Sequence, residues 1–135
     1  MERNSDRKIR IIMAKVGVDI HERGALTLMQ VFKDEGMEVI YTGRYATPEQ
    51  VAKATVEEGA DLVALSDSTG SMLIIAKQVI EALKKYDMDH IPIVAGGLIP
   101  KESLAELEAL GVTGNFGPGT PFDTIVDHVR SVVSK

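Results

Sequence analysis

The residues best suited to do chemistry lie in one short stretch, Lys15-Val16-Gly17-Val18-Asp19-Ile20-His21-Glu22-Arg23-Gly24. A carboxylate two positions before a histidine can accept a hydrogen bond from one imidazole nitrogen. That fixes the tautomer and leaves the other nitrogen free to ligate a metal. Lys15 is placed to neutralise Asp19 and so tune the basicity of the ring, and Gly24 permits close backbone approach by a large group. A plainer role is open to the same residues, with Asp19 capping a helix and His21 solvated in its first turn.

Three further loops carry hydroxyls or glycines. Ser66-Asp67-Ser68-Thr69-Gly70-Ser71 can bond ligand heteroatoms, or one of its hydroxyls can serve as a helix N-cap. Ala95-Gly96-Gly97-Leu98 removes two side chains and lets a flat group lie on the backbone. Phe116-Gly117-Pro118-Gly119-Thr120-Pro121 is a tight turn with a hydroxyl just before a helix. His90 and His128 have no comparable setting and are expected at the surface.

The elements that must position these loops follow from hydrophobic periodicity. Short apolar runs at Ile9–Ala14, Glu38–Tyr41, Leu62–Leu65, Ile91–Ala95 and Val112–Phe116 predict five strands. Between them the spacing becomes helical: Ala25, Leu28, Met29 and Phe32, then Met72 through Leu83, and finally Ile125 through Val133. Thr47-Pro48-Glu49 predicts a capped helix start, Gly36, Gly59 and Gly111 predict helix ends, and Pro100 and Pro121 open the fourth and fifth helices. Five strand–helix units with short connections imply a parallel sheet covered on both faces. The simplest arrangement is a flavodoxin-like, doubly wound α/β fold of strand order 2-1-3-4-5, with the ligand crevice at the carboxyl ends of the strands.

Composition narrows the function classes. The 135 residues predict one domain, with 1–8 a polar tail and 9–135 the folded unit. No cysteine is present, so disulfides and thiolate metal sites are excluded, and only three histidines remain as nitrogen ligands. A net charge of −5 disfavours sequence-independent binding to nucleic acid or anionic membrane. The 4% aromatic content argues against base-stacking platforms. The start lacks an apolar signal stretch and no run approaches membrane-spanning length, so the expectation is a soluble cytoplasmic domain.

Taken together, Asp19-x-His21-x-x-Gly24, Ser66 after the third strand and Gly96-Gly97 after the fourth resemble the cobalamin-binding domain of the acyl-CoA mutases, the methylmalonyl-CoA mutase group. The resemblance runs from about Lys8 to Val133 and includes Tyr41-Thr42-Gly43, Thr47-Pro48-Glu49-Gln50 and the Phe116–Pro121 turn. It implies that His21 is the lower axial ligand of cobalt, replacing the cofactor's dimethylbenzimidazole, with Asp19 and Lys15 behind it. It further implies that Ser66 bonds the displaced base, Ser68 and Gly70 lie along the same loop, and Gly96, Gly97, Gly117 and Thr120 flank the nucleotide tail. Ile20 stands where the family usually has glycine, and Ser68 where it has leucine. The implied cofactor is adenosylcobalamin, which carries radical chemistry for a carbon-skeleton rearrangement.

A substrate-binding TIM barrel needs about 250 residues, so the implied partner is a separate large, acyl-CoA-binding mutase subunit. No mutase activity is then expected of this chain alone. Other classes use some of the same residues. A methyl-transfer corrinoid protein usually carries a helical cap domain before the binding domain, where only about eight residues precede the first strand here. The small subunit of glutamate mutase is similar in length but less like the Tyr41–Gln50 stretch. A receiver domain would use Asp67 but needs an acidic pair after the first strand and a lysine where Gly117 stands. A flavodoxin needs a hydroxyl-rich phosphate loop after the first strand, and a non-ligating interaction module is the remaining alternative.

Overall fold

The computed structural model describes residues 7–17 and 21–133. Its elements alternate along the chain: β1 (Arg10–Ala14), α1 (Arg23–Asp34), β2 (Glu38–Tyr41), α2 (Pro48–Glu58), β3 (Leu62–Asp67), α3 (Met72–Lys84) and β4 (Ile93–Gly97). A short 3-10 turn (Lys101–Ser103) follows, then α4 (Leu104–Ala109), β5 (Val112–Phe116) and α5 (Phe122–Val133). The five strands are parallel and ordered β2-β1-β3-β4-β5, the doubly wound arrangement expected from the sequence.

Strand alternation sorts the apolar side chains into two cores. Ile12, Ala14, Val63, Leu65, Ile93 and Ala95 face one way and pack under α2 and α3, with Leu107 of α4. Ile11, Met13, Leu62, Ala64 and Val94 face the other way, under Ala25, Met29 and Phe32 of α1 and Ile125, Val126 and Val129 of α5. Because both faces are covered, β1, β3 and β4 each contain an unbroken apolar run, residues 11–14, 62–65 and 93–95.

Local signals explain where elements start and stop. Thr47 and Gln50 form a reciprocal capping box at the start of α2, with Pro48 in the first turn, and Gly59 ends the helix in the left-handed conformation. The fourth helix differs from the expectation: Pro100 leads into the 3-10 turn, and the α-helix begins only at Leu104. The fourth strand begins at Ile93 instead of Ile91; Pro92, which has no N–H, contributes only its carbonyl to Val63.

Two strands run further than their apolar stretches. β3 continues to Asp67 and β4 to Gly97, with Ser66 opposite Gly96 and Asp67 opposite Gly97. Ser66 and the glycine pair therefore lie on strand ends rather than in the turns after them. A Cβ built on Gly97 (φ +119°) would stand 2.1 Å from the Asp67 carbonyl oxygen, so glycine is what lets the ladder continue. Between β4 and β5 the register shifts, with Gly114 and Asn115 spanning the gap between the Val94–Thr113 and Gly96–Phe116 pairs. Both have positive φ, and this bulge sets the orientation of Phe116 at the sheet's carboxyl edge. Arg7 pairs with Asp61; the remainder of the predicted tail before it lies outside the described residues. No helix among the described residues is long and apolar enough to cross a membrane.

Candidate functional site

A crevice of about 810 Å³ opens at the carboxyl ends of the strands and enters the core on the α1/α5 side. Its floor is Met13, Ala64 and Val94 of the sheet, and its walls include Leu28 and Phe32 of α1, Phe116 of β5 and Ile125 of α5. The polar groups are few and sit towards the strand ends. Volume, apolar lining and sparse convergent polar groups are those of a site for an organic ligand. The location is the one the topology predicts.

Eight of the residues singled out from the sequence line this crevice: His21, Gly24, Ser66, Ser68, Gly96, Gly97, Gly117 and Thr120. Lys15 and Gly70 do not. Lys15 is buried, and its Nζ donates to Ser66 Oγ at 3.3 Å, so it acts on the crevice through that hydroxyl. Having accepted from Lys15, Ser66 directs its own O–H proton as a donor. Gly70, with φ +84°, serves the turn between β3 and α3 beside Pro100. Asp19 and Ile20 lie outside the described residues. His21 is exposed at the rim, immediately before Glu22.

The glycines separate by cause. Gly97 and Gly114 are demanded by the protein itself, since a Cβ on Gly114 would meet the Phe116 ring at 2.6 Å. Gly24 and Gly117 are not: a Cβ on either meets nothing within 4 Å, and neither has a positive φ. Gly24 even costs α1 helix propensity. Both line the crevice, where the absence of a side chain leaves its wall smooth.

Several roles differ from the sequence expectations. α3 has no capping bond from the Ser71 side chain; instead Asp67 Oδ2 accepts from the Ser71 N–H and Oδ1 from the Thr69 hydroxyl, each at 2.8 Å. Asp67 is thus buried and engaged in a turn, which removes the exposed carboxylate that a phosphoacceptor reading requires. His128, expected at the surface, is half-buried: its Nε2 lies 2.8 Å from Thr113 Oγ1 and its ring meets Phe116 edge-on at 5.5 Å. It braces the crevice wall from behind. His90 is exposed, as expected. The Thr120 hydroxyl donates to the Gly117 carbonyl at 2.7 Å and closes that turn. Phe32 and Leu28 were legible as a helical stripe, but only the tertiary arrangement reveals that the stripe borders a void. Glu22 was not singled out at all, and nothing in its spacing marks it.

Among the described residues no group of three or more His, Asp or Glu is assembled around a point that could hold a metal ion. Residues 9–126 match the B12-binding domain family. The chain belongs to that family.

Relatives of the B12-binding domain occur in two settings. The chain is 34% identical over 126 residues to the 2-hydroxyisobutanoyl-CoA mutase small subunit of Aquincola tertiaricarbonis, covering 93% of each. It is 36% identical to the pivalyl-CoA mutase small subunit of Xanthobacter autotrophicus, covering 96% of this chain and 86% of that one. It is also 36% identical to methylmalonyl-CoA mutase of Escherichia coli over 97% of its own length, but spans only 18% of that longer protein. Among solved structures, a cobalamin-binding protein of Desulfitobacterium hafniense superposes with a TM-score of 0.76 at 19% identity, over 92% of this chain and 59% of that one. A response regulator of Thermotoga maritima does so with 0.72 at 12%, over 96% and 100%. At such identities the likeness is one of fold alone, and B12-binding domains share that fold with signalling proteins.

Proposed function

We propose that the chain is the cobalamin-binding small subunit of an adenosylcobalamin-dependent acyl-CoA mutase, working against a separate large subunit that binds the acyl-CoA in a TIM barrel. The observation that carries this reading is the cradle: a deep apolar crevice in a B12-binding domain, smoothed by glycines the fold does not need, with His21 at its rim. The match to two mutase small subunits over nearly their whole lengths supports the subunit role.

On this reading His21 would be the protein's nitrogen ligand to the cobalt of cobalamin, and the crevice would hold the cofactor's base. Imidazole suits a transition metal, and Asp19, with Lys15 behind it, would set the basicity of the ring. Ser66 offers its O–H to a nitrogen of that base. Phe32, Leu28 and Phe116 exclude water from the base, Ser68 faces it, and Gly24, Gly96, Gly97, Gly117 and Thr120 border the nucleotide tail. Bound adenosylcobalamin supplies radical initiation for the carbon-skeleton rearrangement; the protein orients it.

The test is paramagnetic resonance of cob(II)alamin mixed with the chain carrying nitrogen-15 histidine. Coupling of cobalt to a labelled imidazole, absent in His21→Ala, is the expected result. A free-cofactor spectrum at saturating protein would overturn the ligation reading, and acyl-CoA turnover by the purified chain alone would overturn the subunit reading.

A further inference from the structure

The segment that carries His21 is tied at both ends to the β2–α2 connection. At its start, Val16 forms a parallel bridge with Ala46: the Ala46 N–H donates to the Lys15 carbonyl at 3.2 Å, and the Gly17 N–H donates to the Ala46 carbonyl at 3.1 Å. At its end the tie is made by the Glu22 side chain. The Tyr41 hydroxyl, at the carboxyl end of β2, donates to Glu22 Oε2, and Arg44 Nε lies 3.2 Å from Glu22 Oε1. Arg44 in turn lies over the Tyr45 ring, 5.6 Å from its centroid.

Glu22 occupies the N-cap position of α1, yet its carboxylate makes no capping bond to that helix. Both oxygens are turned away, towards β2 and the loop after it. An acidic group at a helix start ordinarily gains from the exposed N–H groups and the helix dipole. Here the capping bond gives way to a two-point link to another element. The Arg44 side chain is 44% exposed and that of Glu22 26%, so the ion pair is open to solvent screening and the part-buried Tyr41 bond is the better sheltered half of the link.

We infer that Glu22 is a positioning residue: the Tyr41–Glu22–Arg44 clasp fixes the main chain on the α1 side of His21 and so holds the imidazole in ligating position at the crevice rim. The inference rests on the proposed ligand role of His21 for its functional consequence, but not for its structural one. A histidine adjoining a clasped residue reaches its metal without first ordering the main chain at Glu22. Removing the clasp adds that ordering to binding, and loss of a group that orients a metal ligand typically lowers affinity by one to two orders of magnitude.

The experiment compares the full chain with its Glu22→Ala, Glu22→Gln and Tyr41→Phe variants, using cob(II)alamin as the probe. Affinity is read by titration, ligation by nitrogen coupling from labelled histidine, and segment order by amide hydrogen exchange without cofactor at Leu26, whose N–H donates to the Glu22 carbonyl, and at Gly17, whose N–H donates to the Ala46 carbonyl. The expected result is roughly tenfold weaker binding, reduced or heterogeneous imidazole coupling and faster exchange in Glu22→Ala. Glu22→Gln, which keeps acceptor oxygen and size, should recover part of each, and Tyr41→Phe should lose part of each with the fold's melting temperature little changed. If Glu22→Ala matches the parent in exchange at these amides, the clasp is overturned, whatever the cofactor does. If exchange rises but affinity and coupling stay at parental values, the clasp is structural only and the positioning role is overturned. Absence of imidazole coupling in the parent itself would instead overturn His21 ligation, and with it the functional half of this inference. Should Glu22→Ala fail to fold, Tyr41→Phe carries the same comparisons.

Discussion

A Cβ on Gly97 would collide with the Asp67 carbonyl oxygen, while a Cβ on Gly24 would meet open space. The two residues border one crevice under opposite constraints. Gly97→Ala forces a left-handed backbone on alanine and pushes apart two paired strands, a cost of roughly 3 kcal/mol. Thermal unfolding should report it as a fall on the order of 10 °C. Gly24→Ala should move the other way, gaining up to about 1 kcal/mol through helix propensity, while its methyl group intrudes on the cradle. Calorimetry without ligand and titration with cobalamin separate the effects: Gly24→Ala is expected to be the more stable and the weaker binder. A Gly24→Ala chain that binds as the parent does would remove the cradle argument. The same pair shows what the sequence holds at this scale. That glycines cluster at the sheet edge is legible, as is the Asp19–His21–Gly24 spacing; which glycines serve the fold is not, because the answer depends on atoms distant in the chain. Asp67 is hidden likewise, since a strand-end aspartate looks alike whether it caps a helix or faces solvent.

At the scale of elements, the near-continuous apolar character of β3 and β4 and the helix start at Thr47-Pro48-Glu49 make the layered fold legible in the sequence. The strand ends did not announce themselves. Asp67 and Gly97 extend their strands because they pair with each other, and the bulge at Gly114 and Asn115 exists only in relation to β4. His128 lies on the last helix at a position periodicity leaves outside the apolar stripe, and its contact with Thr113 comes from docking on β5. The turn after α3 is joined to α2 by the Tyr86 hydroxyl donating to Glu49 Oε1 at 2.6 Å, and this bond, with burial and the charge of Glu49 adding to it, raises the phenol above its ordinary value of 10.0. A raised folded-state value means the neutral phenol is favoured in the native protein. The stabilisation is therefore complete below the ordinary tyrosine range and is lost as pH rises through the raised value. Ultraviolet titration of the parent against Tyr86→Phe should assign a late-titrating phenol to Tyr86, and Glu49→Gln should bring it back down. A Tyr86 that ionises at the ordinary value would show that this bond does not form in solution.

For the whole molecule, the two sides of the sheet are unequal. Under α2 and α3 the core is continuous, with Met72, Ala76, Val79 and Leu83 closing over the strands. Under α1 and α5 the crevice reaches the strands at Met13, Ala64 and Val94. A ligand binding only the folded chain stabilises it by mass action, by about 2.7 kcal/mol at a hundredfold excess over Kd. Cobalamin should therefore raise the melting temperature of the chain, and the gain in amide protection should fall mainly on α1 and α5. Equal protection of both helical layers would place the occupant elsewhere. The segregation of the apolar residues into two layers was visible from strand alternation; that one layer is incomplete was not, because a void leaves no mark in composition or period.

That incompleteness has a consequence for the lifetime of the protein. Side chains that line a gap lose packing partners on one side, so the α1/α5 layer is the one expected to open first in the unliganded chain. Proteolysis of a transiently opened region follows how often it opens. A ligand lying against Phe32, Ala64 and Ile125 would complete the hydrophobic core, and cofactor supply would then govern how long the chain survives as well as whether it works. Chains made without cofactor would be cleared sooner, keeping the number of survivors in step with the cofactor available to fill them.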